Sequence, residues 1–97
     1  MIIVLVDIEV KEGATGAFIA AAAECVKATR LEAANISYTL YTQTTNALEL
    51  AIVEEWESQA GLDAHMQTPH FAQFGTQIKD LLASPLSIKV YEANKLQ

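Results

Sequence analysis

The alternation of side chains at the start of the chain constrains its fold most strongly. Within residues 2–10 the even positions are all apolar, whereas the odd positions begin with Ile3 and Leu5 and end with Asp7 and Glu9. Successive side chains of a strand point to opposite faces, so one face of this segment is wholly apolar and the other is apolar at one end only. We therefore expect a strand that is buried on one face and half covered on the other.

The rest of the chain alternates between helical and extended patterns. Helical spacing of apolar residues, abundant Ala, and runs of β-branched and aromatic residues predict the elements. These are a helix over 14–31, strands over 35–43 and 48–56, helices over 59–66 and 69–83, and a strand over 86–92. The order β-α-β-β-α-β predicts a single α+β domain over 1–97, with a ferredoxin-like antiparallel sheet and its helices on one face.

A sheet with helices on one face leaves its other face open. Ile3, Leu5 and Tyr91 give that face an apolar patch, and Tyr41 is expected to point to the same side or to solvent. The chain is 52% hydrophobic and only 19% charged, which is rich in apolar residues for a domain of 97 residues. We expect a homodimer in which two sheets pack face to face.

Charge and cysteine content exclude several classes of function. The net charge is −6 and the six basic residues form no cluster, so nucleic-acid and anionic-membrane binding are not expected. Cys25, the single cysteine, lies in an Ala-rich segment and is interpreted as a small buried hydrophobe. The apolar start is interrupted by Asp7 and has no positively charged flank, so a cytoplasmic protein without a signal peptide is expected.

Both histidines of the chain, His65 and His70, lie in one short segment beside Trp56 and Phe71. Imidazole is the side chain best suited to proton transfer near neutral pH. Two histidines five residues apart, with Glu54 as one further ligand at most, make a poor metal site. The segment therefore predicts acid/base chemistry without a metal.

Glu54 belongs to the otherwise apolar face of its strand. A buried carboxylate needs a partner or a raised pKa. Glu54 is thus a candidate to orient His65 or His70, and an ion pair or hydrogen bond at the strand end is the alternative. Tyr38 is a candidate donor to a substrate oxygen. The large aromatic residues have two interpretations, as walls of a pocket or as ordinary core. They are Trp56, Phe71 and Phe74.

Two sequence stretches resemble the antibiotic biosynthesis monooxygenase domain family. They are Glu-Glu-Trp-Glu-Ser at 54–58 and Ala-His-Met-Gln-Thr-Pro-His-Phe at 64–71. This family includes quinol monooxygenases, cofactor-free polyketide monooxygenases, haem-degrading oxygenases and the autoinducer-2 processing isomerase. The resemblance implies a dimeric α+β barrel with a pocket in each subunit. Glu54, Trp56 and His65 match the family's acidic, aromatic and histidine positions.

The chain departs from the family pattern at two places. Residues 32–35 read Glu-Ala-Ala-Asn, so Ala34 replaces the usual glycine, whereas Asn35 keeps a polar type and is included among the pocket residues. The haem-degrading members use an Asn on the first strand and a His on the second helix as iron ligand. The matching positions here are Val6 and about Gly75, and neither residue can take these roles. A haem oxygenase is therefore not expected.

The favoured hypothesis is a cofactor-independent monooxygenase that acts on a quinol-like or polyphenolic small molecule. No glycine motif for a nucleotide is present, and no flavin, metal or other cofactor is expected. One alternative is an isomerase or tautomerase of a small dicarbonyl, with or without a phosphate group. For a phosphate, Arg30, Lys79 and Lys89 are the few available cations. A non-catalytic dimeric binding or stress-response barrel is the other.

Overall fold

The computed structural model describes all 97 residues, arranged as four strands and three helices. The strands are β1 (Ile2–Glu9), β2 (Asn35–Gln43), β3 (Asn46–Trp56) and β4 (Ser87–Glu92), and the helices are α1 (Thr15–Thr29), α2 (Gln59–His65) and α3 (Pro69–Ile78). The sheet order is β2-β3-β1-β4, and every neighbouring pair is antiparallel. The predicted ferredoxin-like α+β fold is confirmed. None of the three helices has the length and apolar content that crossing a membrane requires.

The core lies between the sheet and the helices. The even positions of β1 are all buried, as the alternation of the sequence predicts. Phe18 of α1 and Phe74 of α3 meet edge to face, with their ring centroids 5.8 Å apart. These two rings join the helices to each other above the sheet, and aromatic pairs in this geometry add about 0.5–1.5 kcal/mol beyond the area that they bury.

The last predicted helix ends earlier than its periodicity suggests. Helix α3 stops at Ile78 instead of Ala83, because the backbone that follows pairs with the end of the first strand. Lys11 N donates to Leu81 O at 2.8 Å, and Ala83 N donates to Glu9 O at 2.8 Å. In a helix that continued to Ala83, the N–H of Ala83 would instead donate to the carbonyl oxygen of Lys79, so the two arrangements exclude each other.

A bulge changes the start of β2. Asn35 pairs with Trp56 and Ser37 pairs with the next residue, Glu55, which leaves Ile36 without a partner across the sheet. Ile36 is therefore 51% exposed, although strict alternation predicts that it faces the core with Tyr38. Tyr38 itself is buried, as predicted.

The open face of the sheet carries the predicted apolar patch. Ile3 pairs with Tyr91 across the β1–β4 ladder, and Leu5 pairs with Val53 across the β1–β3 ladder. Tyr41, opposite Ala51, lies on the same side and is exposed. No helix of this chain packs on these side chains.

Candidate active site

The junction between α2 and α3 fixes where the two histidines lie. Thr68 caps α3 by accepting a hydrogen bond from Phe71 N at 3.2 Å, and its hydroxyl donates to His65 O at 2.7 Å. Pro69 occupies the first turn of α3, where its missing N–H costs nothing. One threonine therefore ends the first helix and starts the second, which brings the rings of His65 and His70 to a centroid separation of 5.7 Å.

Both histidines bind the same carboxylate oxygen, which belongs to Glu32 in the turn between α1 and β2. Nδ1 of His65 lies 2.6 Å from Oε2 of Glu32, and Nε2 of His70 lies 2.8 Å from it. A carboxylate oxygen only accepts, so both ring nitrogens donate their proton to it. This contact fixes the tautomer of His65 and leaves the lone pair on its Nε2.

His65 is only 2% exposed and is held by aromatic rings. Ring centroids lie at 4.7 Å for Trp56, 5.2 Å for Phe71 and 5.8 Å for Tyr38. Every fully buried side-chain nitrogen or oxygen in the structure has a hydrogen-bond partner. Nε2 of His65 has none, so this atom must be accessible. The cavity that His65 lines is the surface it faces.

Glu54 is the second ionisable group of the site and is 5% exposed. Nε1 of Trp56 donates to its Oε1 at 2.9 Å. Burial raises the pKa of Glu54 to about 7, opposed by the Trp56 hydrogen bond and reinforced by the negative charge of Glu32. Oε2 of Glu54 makes no hydrogen bond and is therefore not fully buried, and Glu54 lines the same cavity as His65.

The cavity lies between the sheet and helices α2 and α3 and has a volume of about 230 Å³. Twelve of its sixteen lining residues are hydrophobic, and none is a lysine or an arginine. Its lining comprises Val4, Val6, Tyr38, Ile52, Glu54, Gln59, Leu62, His65, Met66, Phe71, Phe74, Gly75, Ile78, Leu86, Ile88 and Val90. An apolar chamber with one carboxylate and one imidazole nitrogen on its wall can take a proton from a bound apolar acid.

Tyr38 contributes a neutral hydroxyl beneath this cavity. Its OH lies 3.6 Å from Sγ of Cys25, which is itself 3.7 Å from Oγ1 of Thr29. Burial raises the pKa of Tyr38 and that of the Cys25 thiol. Both groups thus stay protonated near neutral pH, and Cys25 is the buried small side chain that the sequence predicted.

The structure brings together most of the predicted site residues, but not all of them. Five line the cavity, namely Glu54, His65, Tyr38, Phe71 and Phe74. Trp56 is fully buried behind the wall, where its two ends support Glu54 and His65. His70 lines a separate groove between α1 and α3. Asn35 lies at the bulge and donates to the backbone oxygens of Ser37 and Glu55, at 3.0 and 3.3 Å.

Sequence reasoning missed Glu32, and this changes the role of Glu54. The carboxylate that orients the histidines is Glu32, so the hypothesis that Glu54 orients them is wrong. Glu32 is separated from His65 by 33 residues and from His70 by 38. No periodicity connects residues that far apart. The one available signal was a single acidic residue in the turn Arg-Leu-Glu-Ala-Ala at 30–34.

Comparison with known proteins places this chain in a family. The model of the antibiotic biosynthesis monooxygenase family matches residues 1–77. "Uncharacterized protein sll1783" from Synechocystis sp. is 36% identical over 96 residues, which are 99% of this chain but 65% of that protein. The chain thus spans slightly less than two thirds of that relative's length.

Two further comparisons cover nearly the whole of both chains. "Putative monooxygenase YcnE" from Bacillus subtilis is 30% identical over 88 residues, covering 91% of this chain and 93% of that protein. The solved structure of Rv0793 from Mycobacterium tuberculosis superimposes with a TM-score of 0.91 at 26% identity. That superposition covers 97% of this chain and 95% of the other.

Proposed function

The chain belongs to the antibiotic biosynthesis monooxygenase family, and we propose that it oxygenates a small hydroquinone-like or polyphenolic molecule without a cofactor. The observation that carries this proposal is the apolar cavity lined by Glu54 and His65, whose Oε2 and Nε2 make no hydrogen bond within the chain. The pKa of Glu54, raised to about 7, makes its carboxylate a base matched to a weakly acidic phenol near neutral pH.

Cavity size and lining favour a small aromatic substrate. Ligand sites for drug-sized molecules have volumes of roughly 300–1,000 Å³, and this cavity is smaller, at about 230 Å³. One or two fused rings suit it better than a tetracyclic polyketide. Phe71 and Phe74 offer apolar walls to a flat ring.

The proposed reaction draws its electrons from the substrate. Glu54 removes one phenolic proton, while Nε2 of His65 accepts a hydrogen bond from the second hydroxyl. The phenolate passes one electron to dioxygen, and the resulting semiquinone and superoxide combine to form a carbon–oxygen bond. Protonated Glu54 returns its proton to the peroxide, and the resulting hydroperoxide loses water. Hydroquinone and dioxygen thereby give hydroxyquinone and water, with one oxygen atom in each product. The protein contributes deprotonation, orientation and a chamber poor in water.

The lining of the cavity weighs against an isomerase whose dicarbonyl substrate carries a phosphate. A phosphorylated dicarbonyl needs a cation near its phosphate, and no lysine or arginine lines the cavity. Lys89 lies 3.5 Å from Asp7, Arg30 donates to Tyr38 O at 3.0 Å, and Lys79 caps the end of α3. None of the three is available inside the chamber.

We also propose that the active form is a homodimer. The apolar patch of Ile3, Leu5, Val53 and Tyr91 has no cover within the chain. Packing two sheets face to face buries such a surface and leaves the cavity on the helical side of each subunit.

Oxygen uptake with menadiol, in a buffer that contains a metal chelator, tests the proposal. We expect uptake above the rate of spontaneous oxidation and one atom of isotopically labelled oxygen in the quinone product. Glu54→Gln should lose this activity, whereas Glu57→Gln, an exposed carboxylate three residues further on, should keep it. Product without label would indicate simple oxidation, and no uptake with any hydroquinone would favour a binding protein.

A further inference from the structure

We propose that Glu32, His65 and His70 form a binding site for one divalent transition-metal ion of the zinc, cobalt or nickel type. This inference goes beyond the proposed function, because no step of the oxygenation uses a metal. One carboxylate oxygen and two imidazole nitrogens from three separate segments converge here. All three donor atoms lie within 4.8 Å of one another.

The donor set points to a particular class of ion. Imidazole nitrogens suit zinc, copper, iron and nickel, whereas magnesium and calcium prefer oxygen ligands. Sites with three protein ligands leave a coordination position open, and two histidines with one glutamate are an established zinc donor set. The cluster therefore has the composition of an open site, whereas closed structural sites have four protein ligands.

Coordination requires that each nitrogen give up the proton that it now donates to Glu32, which for His65 moves the ring proton to Nε2, and that the contacts open by a modest movement. Zinc bonds of about 2.0–2.1 Å in tetrahedral geometry place ligand atoms roughly 3.3 Å apart. Both nitrogens now lie at 2.6 and 2.8 Å from Oε2 of Glu32. Binding of the ion must therefore lengthen each nitrogen–oxygen distance by about 0.5–0.7 Å. Glu32 lies in a turn and is partly exposed, as is His70, so their side chains can shift while His65 stays fixed.

The surroundings of His65 pre-organise the site. Its ring is held between Trp56 and Phe71, and the hydroxyl of Thr68 holds its backbone oxygen. Nδ1 thus points towards Glu32 before any ion binds, which lowers the entropic cost of binding. His70 and Glu32 have 23% and 16% of their side-chain surface exposed, and this opening gives the ion a path of entry.

Titration with cobalt(II) tests the site without reference to activity. Cobalt bound to nitrogen and oxygen donors absorbs visible light, and the fluorescence of Trp56, the only tryptophan, is quenched by a paramagnetic ion at the adjacent His65. We expect one cobalt ion per chain in protein stripped with a chelator, displaced by zinc and unaffected by magnesium. Cobalt that binds nowhere, or that fails to quench Trp56, would overturn the proposal.

Two variants assign the ligands. Glu32→Gln and His70→Gln should each weaken cobalt binding by at least roughly 10–100-fold, the loss that removal of even an outer-shell partner causes. Glu24→Gln is the matched control, because Glu24 lies beside His70 in the groove but outside the cluster. Circular dichroism verifies that each variant folds. His70 is partly exposed, so its variant tests the site even if Glu32→Gln does not fold. Folded His70→Gln protein with unchanged affinity contradicts the assignment.

Discussion

Nε1 of Trp56 donates a hydrogen bond of 2.9 Å to Oε1 of Glu54, and both residues are buried. They lie two residues apart on β3, so their side chains share the face of the sheet that the helices cover. The hydrogen bond satisfies one oxygen of the carboxylate, and the other faces the cavity. A single strand thus places a proton acceptor in an apolar chamber and supplies the group that holds it there.

Glu54 should make the stability of the protein depend on pH. Its pKa is about 7 in the folded state and 4.5 for the free side chain, so between these values the folded state keeps a proton that the unfolded state releases. The free energy of unfolding therefore falls as pH rises from about 4.5 to about 7, by about 3 kcal/mol in total. Glu54→Gln lacks this loss.

Urea denaturation from pH 4.5 to 8, followed by Trp56 fluorescence at one fixed chain concentration, measures this effect. The difference in unfolding free energy between Glu54→Gln and the unmodified protein should move in favour of the variant by about 3 kcal/mol over this range. The other titratable groups are present in both proteins, so their contributions to the unfolding free energy cancel in the difference. Parallel stability curves would mean that Glu54 titrates normally.

Gly61 packs closely against Ala34, the residue that stands where the family pattern has glycine. A Cβ added at Gly61 would overlap the Cβ of Ala34, whereas one added at Gly75 meets nothing within 4 Å. Gly61→Ala should therefore destabilise the protein by about 1–3 kcal/mol through overpacking. Gly75→Ala should stabilise α3 by up to about 1 kcal/mol, since alanine favours helix. Thermal unfolding compares the two variants.

A double substitution separates this contact from helix propensity. Adding Ala34→Gly to Gly61→Ala returns the missing space, so most of the lost stability should reappear as a coupling energy between the two sites. If Gly61→Ala is as stable as Gly75→Ala, the contact carries no such cost.

The open face of the sheet should determine the assembly. Val53 lies on that face, opposite Leu5, so Val53→Lys places a charge in the middle of the proposed dimer interface. We expect sedimentation at micromolar concentration to give a dimer for the unmodified chain and a monomer for the variant. Gln77→Lys, exposed on α3, should remain dimeric. A monomeric unmodified chain would contradict the proposed pairing.

The sheet and its faces could be predicted from local pattern. Alternation in β1 identified its buried face, and the order of elements identified the sheet topology. The errors arose where a distant segment decides the local structure. Ile78 ends α3 because the residues after it pair with the end of β1, and the bulge at Asn35 turns Ile36 outward. Neither the early end of α3 nor the bulge in β2 is indicated by the residues of the element itself.

The candidate site could be predicted only in part, for the same reason. Glu54, Trp56 and His65 lie on elements whose periodicity gives their direction, and all three meet around the cavity wall. Glu32 comes from a turn, and its position depends on how α1 packs beside the α2–α3 junction. His70 followed His65 closely in sequence, yet it lines a different groove, because it lies on α3, which packs against α1.

The pH dependence of menadiol oxygenation tests the central claim, that Glu54 is the base in the cavity. In the unmodified protein kcat/KM should rise with pH through a midpoint near 7. Glu54→Gln should lose that rise and fall by about 10²–10⁴-fold, whereas Glu57→Gln should keep both. A Glu54→Gln protein that retains the rate and its rise with pH would contradict the account.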